Sequence, residues 1–330
     1  MSPVRPIFLR LFIIWFIFAT ALSAKPAIDS PVKALRITVL STMLTGGKGL
    51  GEWGFAALVE VDGRKLLFDT GNYPDTVLRN AKELGIDLTG ITDVVLSHNH
   101  QDHVGGLLTL SRAFSEKDPT AFSRIHIAQG ALTSRGPGDF AGDDNPLIAI
   151  HAAYNQTGGK FTEHAKPAEL LPGVWFTGPI PRVYPDEQPI PPGWVLRAPD
   201  GTLVPDSTPD DASLVFDTAQ GLVVLTGCGH AGLINTLEYA RVITGRPEAP
   251  IYAATGGFHL FRSSDGSLDW TTEKLRALNL KHLHGGHCTG LETVYRLRRD
   301  LSLPREAASV AAVGSWFDLE KGIHPLAIAR

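Results

Sequence analysis

Cysteine is scarce in this chain of 330 residues, which carries only Cys228 and Cys288. Two thiols exclude a disulfide-built scaffold, and a chain this long with 43% hydrophobic residues can stabilise itself by burial alone. An excess of one charge is lacking too. With 30 Lys and Arg against 34 Asp and Glu, the formal net charge of -4 provides no basic field for a phosphate backbone, so nucleic acid is not an expected partner. Beyond the N-terminus no stretch is apolar enough to span a bilayer. Nucleophile-elbow and nucleotide signatures are missing as well: there is no G-x-S-x-G, no P-loop and no G-x-G-x-x-G following a strand. The glycine-rich run at 46–51 lacks the Ser or Thr that would hold magnesium, and reads as a flexible wall of a site with Trp53 as a contact.

Histidine, by contrast, is clustered. Of the 12 in the chain, three fall between His98 and His103 and three between His282 and His287. The first 24 residues form a separate unit: Arg5 and Arg10, an apolar run from Leu11, then small residues ending in Ala19, Ala21 and Ala24. This is the layout of a secretory signal peptide (1–24), with cleavage after Ala21 or Ala24. If the segment is retained it is an N-terminal anchor. Either way the body is expected in the periplasm or secreted, with no stable membrane span after cleavage.

The body reads as strand and helix in alternation. Strands are expected at 34–40, 55–61, 65–68 and 91–96, with a tight hairpin turn at Asp62-Gly63-Arg64 and a helix at 75–84 stopped by Gly85. The second half repeats this grammar, with a hairpin at 212–216 and 222–225, a helix at 235–243, a strand at 251–254, a helix at 272–278 and a strand at 281–283. Each half sends strand ends into polar, Gly-rich loops, as a two-half α/β sandwich with one shared site would. Between the halves, residues 179–209 hold nine prolines. They read as an irregular insertion, either a linker or a lid whose Arg182, Tyr184, Trp194 and Arg197 face substrate.

The densest chemistry lies in Ser97-His98-Asn99-His100-Gln101-Asp102-His103-Val104-Gly105-Gly106. In extended chain, residues at i and i+2 point the same way, so His98 and His100 can grip one ion. Asp102 and His103, displaced to the next bend, can face a second. Imidazole nitrogen and carboxylate oxygen in these numbers suit zinc, one or two ions, and also iron or manganese.

This H-x-H-x-D-H run, preceded by Leu67-Phe68-Asp69-Thr70-Gly71, resembles the metallo-β-lactamase superfamily. TGCGHAGLINT (226–236), GGFHL (256–260), GGHCTG (285–290) and VGSWFDL (313–319) are similar to its dihydropterin synthase-like branch. The resemblance implies an αββα sandwich over 34–320, interrupted by the Pro-rich insertion and followed by a tail at 321–330. Residue by residue it implies His98, His100 and His230 at a first metal, and Asp102, His103 and His287 at a second. Cys228 stands where many members have aspartate. It either bridges the metals as a thiolate or packs beside them. His259 is either a metal or substrate contact or a structural histidine. Asp69 and Cys288 lie behind the ligands, Asp69 orienting them through hydrogen bonds. His126, His151, His164 and His324 read as bystanders, and one of His282 and His284 as a packing residue.

The function implied is a metal-dependent hydrolase. A metal-bound hydroxide, oriented by Asp102, would attack an ester, lactone, amide or phosphoester of a small molecule. Arg182 or Lys48 is a candidate contact for an anionic substrate. Two other readings stay open: an iron-dependent oxygen or sulfur oxidoreductase on the same ligands, and a non-catalytic extracytoplasmic binding protein.

Overall fold

The computed structural model describes residues 31–184, 190 and 192–329, so the expected signal peptide lies outside the described residues. Strand alternation organises everything else. In Ala56–Val61, Ala57 and Val59 point one way while Ala56 and Leu58 point the other, and all four are buried. Both faces of the sheet are therefore covered. The same holds for Ser213–Thr218 and Gly221–Thr226, where Leu214, Phe216, Val223 and Leu225 face one core and Val215, Leu222 and Val224 another.

Two sheets result. The eight-stranded sheet runs, in spatial order, Gly322–His324, Trp316–Asp318, Leu35–Ser41, Ala56–Val61, Arg64–Phe68, Asp93–Val95, Arg124–Ala128 and Lys160–His164. The seven-stranded sheet runs Ala308–Val310, His282–Gly286, Ile251–Gly257, Gly221–Thr226, Ser213–Thr218, Val174–Phe176 and Ala168–Leu171. Their facing sides share one apolar core that includes Ile37, Val59, Phe68, Phe216 and Leu225. Each such side chain, taken out of water, stabilises the sandwich by roughly 1.5–3 kcal/mol before entropy is counted.

Helices close the outer faces. Thr76–Leu84 and Leu107–Ser115 pack on the first sheet through Val77, Ala81, Leu107 and Leu110. Leu233–Thr244, Asp265–Ala277 and Leu291–Asp300 cover the second through Leu237, Leu275 and Leu297. The order helix, sheet, sheet, helix is the αββα sandwich the sequence led us to expect. Among the described residues no helix is long and apolar enough to cross a membrane.

Three details differ from the sequence reading. The outermost strand of the larger sheet is Gly322–His324, so the segment set aside as a tail from 321 belongs to the sandwich. The Pro-rich insertion is not wholly irregular: Trp194–Arg197 pairs with Leu203–Pro205 and with Arg135–Pro137 in a small third sheet whose central strand is free of proline. Two strands also run further than expected, to Gly257 and Gly286, because parallel neighbours pair with their glycines.

Candidate metal centre

Five loops leave the carboxyl ends of strands in both sheets and converge between the halves. Asp69 follows Arg64–Phe68, His98 follows Asp93–Val95, Cys228 follows Gly221–Thr226, His259 follows Ile251–Gly257 and His287 follows His282–Gly286. Glycine permits the close approach. A Cβ on Gly227 would sit 2.0 Å from Ser97 Oγ and 2.7 Å from Asp69 Oδ2, and one on Gly105 would sit 1.9 Å from the Asn72 carbonyl oxygen. Asp69, His259 and His287 adopt left-handed backbone, with φ of 56°, 50° and 48°. Such conformations persist only where surrounding contacts hold them, and they cluster at functional sites.

Ligand-type atoms gather in two overlapping groups. Asp102, His103, Cys228 and His287 form one and His98, Cys228 and His230 the other, each with its donor atoms within 4.8 Å of one another. Cys228 belongs to both. The His100 ring lies 4.5 Å from that of His98 and 4.8 Å from that of His230, so it flanks the second group. His259 sits one layer out, its ring 4.5 Å from that of His230.

The donor set fits a metal. Nε2 of His98, His100 and His230 is buried and makes no hydrogen bond. Orphaned buried nitrogens are costly unless a bound group satisfies them, and a cation would do so for all three at once. Burial, followed by neighbouring positive groups, holds these three histidines well below the ordinary imidazole pKa, in the neutral form that ligates. Burial also lowers His287, and lowers His259 to about 4.

His103 goes the other way. Burial disfavours its charge, but the carboxylates of Asp102 and Asp69 overcome this and raise its pKa to about 9. Asp102 is held below the usual carboxylate range: burial opposes its charge, and the facing His103 and His287 outweigh that. Its Oδ2 lies 3.3 Å from His287 Nε2 and 3.8 Å from His103 Nε2. Burial and the adjacent Cys288 push the Cys228 thiol up, a shift that a bound cation would reverse.

Asp69 orders this arrangement from behind. Its Oδ1 accepts the Ser97 backbone N–H at 2.7 Å, and its Oδ2 accepts the Ser97 hydroxyl and faces His103 Nδ1, each at 2.7 Å. His103 Nε2 is thereby turned toward Cys228 Sγ, 3.2 Å away. Cys288 is a free thiol beneath the site, its Sγ 3.5 Å from the Cys228 carbonyl oxygen, and Cys228 is free as well. The other histidines lie elsewhere: His151 meets Asn155 at 3.0 Å and His282 packs on Tyr252 and Phe317. His284 faces Ser315 Oγ at 3.0 Å, His126 and His164 meet each other at 3.0 Å, and His324 stacks on Trp316.

Among the described residues, the insertion's polar groups do not line the cleft. Arg182 donates to the carbonyls of Ser207 and His230, both at 2.6 Å, and so is turned to the backbone of the insertion and of the His230 loop. Tyr184 meets Glu238 and Lys274, Trp194 lies by Arg135, and Arg197 covers Phe140. The sequence reading also missed four groups. Buried Glu52 ties Ser41 to the backbone of Asn72 and Tyr73, while Arg135 donates to Asn99 Oδ1 at 2.9 Å and pairs with Asp206 at 2.5 Å. Asp210 accepts the Asn99 N–H at 2.9 Å and Asp211 that of Ala231 at 2.8 Å.

A cleft of about 400 Å³ opens over these groups, lined by Trp53, Asn72, Gln101, His259 and the ligand-type residues. A two-sheet sandwich with histidine, aspartate and cysteine donors at the strand ends defines a metallo-β-lactamase-fold protein. The sequence profile of the metallo-beta-lactamase superfamily matches residues 54–119, within a chain that has the fold of that superfamily. It is similar to Tm1679, a metal-dependent hydrolase of the beta-lactamase superfamily, with a TM-score of 0.65 and 28% identity over 86% of this chain and 98% of that one. It is 29% identical to the 7,8-dihydropterin-6-methyl-4-(beta-D-ribofuranosyl)-aminobenzene-5'-phosphate synthase of Methanocaldococcus jannaschii, across 72% of this chain and 81% of the relative. YhfI of Bacillus subtilis shares the fold, with a TM-score of 0.52 and 14% identity over 86% of this chain and 99% of that one.

Proposed function

We propose that the chain is a metal-dependent hydrolase of small molecules. In this reading His98, His100 and His230 would hold one ion and Asp102, His103 and His287 a second, with Cys228 common to both donor groups. Zinc is the ion that this nitrogen, oxygen and sulfur set suits, with iron or manganese as substitutes. The observation that carries the reading is the convergence of three buried, unpartnered imidazole nitrogens beside Cys228. Bound ions would supply Lewis acidity, making water nucleophilic near neutral pH and offsetting charge on an oxyanion.

The chain's own residues do the rest. Asp69 fixes the ring orientation of His103, and Asp102 presents a carboxylate at the floor of the cleft, where it orients the attacking water. Gln101 and Asn72 offer amides to the substrate from the rim. The cleft has room for an ester, lactone, amide or phosphoester of modest size. The similar structure described as a metal-dependent hydrolase supports this reading. Because the archaeal relative is named a synthase, the substrate panel needs bond-forming reactions as well as hydrolyses.

Metal analysis of the purified, remetallated chain tests the core of the reading, alongside His100→Ala and a panel of esters, lactones, amides and phosphoesters. Wild type without bound transition metal sinks it. A second reading draws on the soft sulfur of Cys228 at the junction of both groups: an iron enzyme handling oxygen or sulfur. Iron-dependent oxygen consumption with thiol or persulfide substrates would decide for it. A zinc-loaded protein inert on every substrate would point instead to an extracytoplasmic binding protein.

A further inference from the structure

Two exposed aromatic rings stand at the cleft: Trp53 lines it, and Phe261 packs on Trp53 and on His259, which lines it too. Trp53 is 46% exposed and Phe261 37%, so much of each ring is left out of the core. They meet edge to face with centroids 5.7 Å apart. Each also packs on a histidine of the site, Trp53 on His287 at 5.1 Å and Phe261 on His259 at 5.5 Å.

Both rings are held in place. Next to Trp53, the buried Glu52 carboxylate accepts from Ser41 Oγ at 2.6 Å and from the N–H groups of Asn72 and Tyr73 at 3.0 Å each. The Phe261 N–H donates to the Cys288 carbonyl at 3.2 Å, and its Cα lies where a Cβ on Gly290 would come within 3.1 Å. One backbone bond and a missing side chain thus fix the Phe261 backbone beside Cys288 and Gly290. The exposed Arg262 guanidinium stands 5.0 Å from the Phe261 ring centroid.

We propose that Trp53, Phe261 and Arg262 form a subsite for a flat aromatic ring bearing an anionic group, placing that ring beside the metal cleft. The proposal rests on the hydrolase reading only for what happens to the reacting bond. Recognition of the ring stands apart from it. A flat ring can lie offset or edge-on against either exposed aromatic, and each such contact is worth roughly two- to tenfold in affinity beyond area burial. A puckered aliphatic group of the same size gains the burial without that addition. No Lys or Arg is among the described residues lining the cleft, so the Arg262 guanidinium beside Phe261 selects for an anion on the ring. The volume of about 400 Å³ suits one or two fused rings.

The test is calorimetry on the zinc-loaded full chain with two probes, 2-naphthoate and decahydro-2-naphthoate, which share carbon skeleton and carboxylate but differ in flatness. We expect the flat acid to bind about fivefold tighter or more. Trp53→Leu and Phe261→Leu, which keep apolar bulk and remove a ring, should each move that ratio toward one at unchanged zinc content. Arg262→Gln should weaken both acids by one factor. Phe261→Leu leaves the His287 contact of Trp53 in place, so it remains informative if Trp53→Leu loses zinc. The absence of any ring preference overturns the proposal, whether both acids bind equally or neither binds, as does a preference that survives both leucine variants. Selective binding of naphthoate by a protein that hydrolyses nothing leaves the subsite standing and removes the hydrolase. Hydrolysis without ring preference does the reverse.

Discussion

His103 Nε2 and Cys228 Sγ lie 3.2 Å apart, one from each half of the sandwich, and Cys228 is the one residue common to both donor groups. A thiolate there would touch both ions. Cobalt-substituted wild type should therefore show a sulfur-to-cobalt charge-transfer band in the near ultraviolet. Cys228→Ser should lose that band and bind the metals at least tenfold more weakly, while keeping its fold. An unchanged cobalt spectrum in Cys228→Ser would show that the thiol only packs beside the site.

Asp69 makes no contact with the cleft and is fully buried, yet it faces Ser97 and His103 through three bonds of 2.7 Å. Partners of this kind set the ring orientation of a ligating histidine, and their loss typically costs 10- to 100-fold in metal affinity or activity. Asp69→Asn keeps the size but cannot accept at both oxygens. We expect metal affinity, measured by competition with a chelator, to fall within about that range. Affinity equal to wild type would mean that Asp69 supports only the turn.

The parts of this fold that were legible in the sequence are those set by local chemistry. Asp62-Gly63 announces a hairpin, and both residues take positive φ, at 45° and 79°. Gly85 ends its helix in left-handed geometry, donating back to Ala81 and Lys82. The donors at His98, His100, Asp102 and His103 were legible because one strand end carries them all. The Gly-Gly pairs at 256–257 and 285–286 misled, since glycine there serves not a turn but close approach: a Cβ on Gly256 would lie 1.9 Å from the Thr226 carbonyl oxygen. The helix expected from 272 begins at Asp265, capped by Ser264, whose side chain accepts from Ser267 N–H. Arg135, Arg182 and Asp210 carry no local signature, because their partners lie 36, 48 and 111 residues away in sequence.

Arg182 joins the start of the insertion to the candidate ligand loop through the carbonyl of His230. Its Ser207 bond ties the far end of the insertion to the same point. Arg182→Met keeps the apolar stem and removes both bonds. We expect it to weaken the ion on the His230 side several-fold more than the other, read as two separated steps in a chelator titration, with Arg182→Lys restoring part of the difference. Equal weakening of both ions would assign Arg182 to general stability.

Asp210 supplies a pH test away from the donor atoms. Burial, partly offset by its backbone bonding and by Arg135, raises its carboxyl from 3.8 to about 7. An acid whose folded pKa is raised takes up a proton more readily in the native state than in the unfolded one. Its contribution is therefore most favourable below pH 3.8 and is lost as pH rises to about 7, by on the order of 1.4 kcal/mol per pH unit between them. Asp210→Asn keeps an acceptor for the Asn99 N–H and does not titrate. Relative to wild type, the variant should gain stability as pH rises from 5 to 8, seen as a widening gap in denaturant midpoints. Midpoints that run parallel across that interval would mean that Asp210 is ionised throughout, its charge balanced by Arg135.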